Sequence, residues 1–142
     1  MRGIRVKPGT VDLRDERGVA AVEFAIISIV LFLMIFGIVE FGKTYSQYEV
    51  FVNAAREGAR KGAIRASQAD IQSAVANAST GFNLSQTPAV SVNGGPAGDP
   101  PCNDQTVGQP IAVSWDQTFS ISIPFLPAWH PAVHIKGVFE CE

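Results

Sequence analysis

Three sets of side chains in this sequence could do chemistry: Glu23, the pair Cys102 and Cys141, and the pair His130 and His134. Glu23 is the only charged residue among the 21 from Val19 to Val39. An unpaired carboxylate in lipid costs a few kcal/mol near the bilayer centre and less near an interface. It therefore needs a cation on its own helix face, or it must snorkel to water. The two cysteines could form a bridge; closing a loop of about 40 residues contributes roughly 3–4 kcal/mol in the chain-entropy model. Two unbridged thiols are the alternative. The histidines flank Pro131 without further ligands at matching spacing, so no metal site is expected. No serine stands in a Gly-x-Ser-x-Gly elbow, no phosphate-binding glycine loop follows a strand, and no paired carboxylates are evident. The expectation is a non-enzymatic chain with no catalytic residues, no cofactor and no metal.

The elements that hold these residues begin with the apolar run itself. At about 1.5 Å per helical residue, Val19–Val39 reaches roughly 30 Å, enough to cross a bilayer core. Residues 1–18 carry Arg2, Arg5, Lys7, Arg14 and Arg17 against Asp12, Asp15 and Glu16, and so are net positive. Positive charge ahead of a span keeps that end in the cytoplasm. The predicted organisation is a short, irregular cytoplasmic leader over 1–18, a transmembrane helix over 19–40 and an extracytoplasmic domain over 41–142. A secretory signal fits poorly, because the apolar run is too long and no small-x-small site closes it. On the outer side a disulfide between Cys102 and Cys141 would persist. The formal net charge of −2 gives no support to nucleic-acid binding.

Past the apolar run the helix is expected to continue. Phe41, Tyr45, Tyr48, Val52, Ala55, Ala59 and Gly62 recur at steps of four and three, the mark of one helix face. Beside them lies a stripe of small residues, Ala54, Gly58 and Gly62 with Ala55, Ala59 and Ala63. Small groups four apart let another backbone come close, either from another chain or from the protein's own domain. Ser67-Gln68-Ala69-Asp70 approximates a capping box and opens a second helix over 67–79. Beyond residue 85 the period changes to two. A short strand at Val90–Val92 is followed by a Pro/Gly-rich loop over 93–110. Ile111, Val113, Trp115, Gln117, Phe119, Ile121 and Ile123 then share one face, as one long bent strand or as a hairpin turning at Asp116-Gln117. After a proline-rich turn over 124–131, Val133, Ile135, Gly137, Phe139 and Cys141 alternate again. The fold class is α+β: a long helix packed against a small antiparallel sheet that is wet on its other face.

Two motifs carry a family resemblance. Gly18-Val19-Ala20-Ala21-Val22-Glu23-Phe24 resembles the cleavage and N-terminal region of pseudopilins, and Ala54-Ala55-Arg56-Glu57-Gly58-Ala59-Arg60 resembles a signature of TadE-like proteins. These are minor pseudopilins of tight-adherence (Flp-type) pilus systems, so the resemblance implies the lollipop layout of type IV pilins. It also implies roles for residues. Gly18 and Val19 would be the processing site of a membrane prepilin peptidase. Glu23, beside Phe24, would pair with the new α-amine of Val19 on its own or a neighbouring subunit. Ala55, Arg56, Glu57, Gly58, Ala59 and Arg60 would be the family motif. The implied partners are the membrane, the prepilin peptidase, other pilins or pseudopilins and the Tad assembly platform, at the bacterial inner membrane or in the pilus. The rival reading is an unprocessed single-pass protein that presents its β domain to a protein or polysaccharide.

Overall fold

The computed structural model describes residues 13–142, with side chains described from residue 18 onward. The first helix, α1, is Leu13–Ala63 and runs without a break. Residues 1–12 of the expected leader lie outside the described residues. Residues 13–17 are helical, where an irregular leader was expected. Leu13–Arg17 contains neither glycine nor proline, and adding good helix formers to an existing helix needs no new nucleation. Within α1 lies one stretch long and apolar enough to cross a membrane, and none of that window is buried by the protein.

The second helix, α2, is Gln68–Ala78. Its N-cap is Ser67, whose side chain accepts a hydrogen bond from the Asp70 backbone N–H at 3.2 Å, as the capping pattern predicts. Ile71 and Val75 of α2 are buried against α1. Four strands follow: β1 Ala89–Val92, β2 Gly95–Pro96, β3 Pro110–Thr118 and β4 Ala132–Glu140. They form one antiparallel sheet in the order β2-β1-β3-β4. The β3–β4 register runs from Pro110↔Glu140 to Thr118↔Ala132, with Trp115 opposite Ile135.

One detail departs from the sequence reading, and a second decides between two alternatives that it left open. The expected loop over 93–110 contains β2, because Asn93-Gly94 makes a two-residue hairpin with φ of 50° and 78°. Positive φ at both positions suits the right-handed twist of the paired strands, and Asn-Gly is the pair that adopts it most readily. In addition, no hairpin forms at Asp116-Gln117. β3 runs through both residues, and the chain reverses only in the proline-rich segment before β4.

The sheet lays one face along the outer half of α1. Phe51 is the centre of the core, edge-on to Trp115, Phe119 and Phe82 at centroid distances of 6.3, 6.0 and 6.0 Å. The small-residue stripe meets the protein's own domain. Ala54, Ala55, Ala59 and Ala63 are buried, and a Cβ added to Gly58 would press on Val75 while one at Gly62 would press on Ile71 and Ile111. The tightest approach is Gly137 of β4, which rests on the backbone of Ala55. The stripe therefore serves close helix–sheet and helix–helix contact inside the domain, and is not left free for a second chain.

The far end of the domain is tied down by Cys102–Cys141, a disulfide with Cα atoms 5.4 Å apart. Backbone bonds surround it: the N–H of Cys141 donates to Gln109 O, the N–H of Gly108 to Cys141 O, and the N–H of Glu142 to Ala63 O. The loop that carries Cys102, the end of β4 and the end of α1 are thus held together.

Candidate functional site

The residues singled out by sequence occupy three separate places. Gly18, Val19, Glu23 and Phe24 stand on α1 in the apolar stretch, and all four are exposed. A Cβ at Gly18 would meet nothing within 4 Å. Gly18, Val19, Val22 and Glu23 line one shallow surface depression, which places the Gly18–Val19 bond and the Glu23 carboxylate on a common side. Helical geometry explains this, since residues four apart stack on one face.

The segment Ala55–Arg60 lies on the same helix but in the domain half. At about 1.5 Å per residue, Glu23 and Glu57 are roughly 50 Å apart along the axis, so they cannot form one site. Within the motif the roles divide by face. Ala55, Gly58 and Ala59 are buried against the sheet and α2. Arg56 and Arg60 are exposed, and Arg60 pairs with Glu57, Nη2 to Oε1 at 2.7 Å. The hydrogen bond from Arg60 holds the Glu57 carboxyl below its ordinary pKa, and Glu57 raises that of Arg60 in return. The motif is thus a docking face with an ion pair on its wet side. It is not a catalytic group.

Cys102 and Cys141 form the bridge already described, at the end of the domain farthest from the apolar stretch. His130 and His134 are not brought together over a ligand. His134 Nδ1 lies 2.8 Å from Asp116 Oδ1 on the exposed face of the sheet. Among the described residues no group of His, Cys, Asp and Glu is arranged to hold a metal ion.

Two features were missed. Gln117 points inward from β3 and is buried. Its Oε1 accepts from Trp115 Nε1 at 3.1 Å and from the Ser85 backbone N–H at 3.0 Å, while its Nε2 donates to Asn83 O at 3.2 Å. It clips the segment after α2 onto the sheet. The available signal was a glutamine at an inward position of an otherwise apolar alternation, which demands buried partners.

The other feature is an apolar groove where α1 leaves the apolar run. Phe41, Tyr45 and Tyr48 of the helix face Phe119, Ile121 and Trp129 across it. An isolated bridge between Ile121 and Trp129 closes the base of the 122–128 turn, and the Ser122 N–H donates to Glu40 Oε1 at 3.3 Å. Pro124, Pro127 and Pro131 in the sequence foretold the turn but not its position beside Glu40.

No curated protein and no solved structure matches the chain significantly. The family model for TadE-like proteins matches residues 18–60, from the Gly18 boundary through Arg60, so the likeness lies wholly within the long helix α1.

Proposed function

We propose that the chain is a membrane-anchored minor pseudopilin that takes part in assembly of a Tad-type pilus. In this reading α1 crosses the bacterial inner membrane once, with its N-terminal end in the cytoplasm and the sheet domain outside. The observation that carries it is the extent of the TadE-like match, which starts at Gly18 and includes Glu23. A prepilin peptidase would cut between Gly18 and Val19. Glycine inside a helix costs about 1 kcal/mol relative to alanine, so unwinding the helix for a peptidase is easier at Gly18 than at the residues beside it.

The cut would have two physical consequences. It removes a net-positive leader, and it leaves an α-amino cation on Val19. Glu23 lies one helical turn further on, on the same face. That amine, from the same chain or a neighbour, offsets the cost of keeping the carboxylate in lipid. A pair made between neighbours would set the axial register of packed helices. The buried small stripe bears on where those neighbours can pack: contact with other pilins or pseudopilins falls to the exposed apolar half of α1. No step in this role needs catalysis or a cofactor.

Glu23→Ala tests the assembly role. The protein should still fractionate with membranes in wild-type amounts, while pilus number per cell falls at least tenfold. Unchanged piliation would remove Glu23 from assembly.

A further inference from the structure

We propose that the turn between β3 and β4 is a second membrane contact. Its apolar tip enters the outer headgroup–acyl boundary of the bilayer that α1 crosses, so the sheet domain rests on the membrane instead of standing away from it. The inference rests on reading α1 as membrane-spanning and adds a lipid-binding surface outside that helix.

Position is the first argument. The apolar run of α1 ends at Val39, and Glu40 and Lys43 pair at 3.0 Å just past it. That ion pair marks the level of the outer interface. The Ser122 N–H bonds to Glu40 itself, so the start of the turn is held at the same level. β3 and β4 run along α1, with Ile111 beside Gly62 at one end and Ile121 beside Phe41 and Tyr45 at the other. Only the 122–131 end faces back toward the lipid-facing part of the helix.

Composition agrees. Between Asp116 and Lys136 there is no Asp, Glu, Lys or Arg, so no fixed charge would have to leave water. Phe125 is 96% exposed, Leu126 57% and Trp129 62%. Phe125 also has a φ of 67°, a backbone conformation that aromatic residues rarely adopt. It turns a large ring fully outward, where water gives it no stabilisation. Aromatic rings with an apolar body and a polar edge concentrate at the membrane interface. Pro124, Pro127 and Pro131 carry no backbone N–H, and the N–H groups of Leu126 and Trp129 bond to Ile123 O and Ile121 O. The prolines and these bonds reduce the number of donors that would lose their water in a poorly hydrated layer. The opposite end of the domain differs in charge: its exposed apolar residues, Ile64 and Val107 among them, are interspersed with Asp104, Glu140 and Glu142. A lipid surface fits better than a second chain, because the patch continues the lipid-facing stripe of α1 at the same depth.

The test uses the full chain in phosphatidylcholine vesicles, with and without bromine on the acyl chains near the headgroups. Its two tryptophans make an internal comparison, since Trp115 is 3% exposed in the core. Wild-type emission should fall about twofold in brominated vesicles, Trp129→Phe should lose that sensitivity, and Phe125→Trp placed in the Trp129→Phe background should restore it. Protein that floats with the vesicles but is quenched equally in both lipids, and freely by acrylamide, would overturn the contact while leaving the span intact. Protection from acrylamide without sensitivity to bromine would overturn it in favour of cover by another chain. Failure to float would overturn the spanning reading and this contact together.

Discussion

Gly137 of β4 rests directly on the backbone of Ala55 in α1, and a Cβ at that position would overlap the Ala55 carbonyl group and the Arg56 nitrogen. The obstacle is backbone, so no rotamer change can relieve it. This contact explains why Ala55 lies in a segment of small residues, and it ties the strand farthest from β1 to the helix.

Gly137→Ala should therefore destabilise the domain by about 2–3 kcal/mol, the upper range for overpacking against something that cannot move. Gly42→Ala is the matched control, because a Cβ there meets nothing within 4 Å. Helix propensity makes that change neutral or stabilising by up to ~1 kcal/mol. Denaturant titration of both variants in the same detergent, followed by Trp115 fluorescence, checks the pair. Equal midpoints for the two would mean that the close approach has no energetic weight.

Gln117→Leu fills a similar volume but removes every partner the glutamine supplies. Trp115 Nε1 and the Ser85 N–H lose their shared acceptor. The Trp115 Nε1 donor is buried, and leaving a buried donor unpaired costs roughly 1–3 kcal/mol. The loss should appear in the same titration, with faster amide exchange at Ser85. Wild-type exchange at Ser85 would contradict the clip.

Reduction of Cys102–Cys141, or the double change to serine, should lower stability by about 3–4 kcal/mol for a loop of this length. The N–H of Glu142 and the Ala63 carbonyl should exchange or hydrate first, since the bridge lies beside them. Oxidised and reduced protein melting together would show that backbone bonds alone secure this end.

How much of this was legible follows from what each signal depends on. The apolar stretch of α1 needs no knowledge of partners, because lipid-facing residues are selected by composition alone. Alternation from Ile111 to Ile123 likewise placed β3 and its inward face, although the strand itself ends at Thr118. The stripe Ala54–Gly58–Gly62 stated that some backbone comes close, but spacing on one helix carries no information about whose. Here it is β4 and α2. Asn93-Gly94 is itself a hairpin signal, but the prolines and glycines that follow it argue for irregular structure, so local composition outweighs it. The turn at 124–131 could be recognised by its prolines. Its placement beside Glu40 depends on the β3–β4 register and on the direction in which the sheet lies along α1, neither of which a local pattern encodes.

The most direct test of the central claim is the mass of the intact protein purified from membranes, with and without an active prepilin peptidase. With the enzyme, the chain should begin at Val19. Without it, the leader should remain, and Gly18→Leu should block the cut even when the peptidase is present. A chain that keeps residues 1–18 in all of these samples would contradict the pseudopilin account and leave Glu23 without the amine that the account assigns to it.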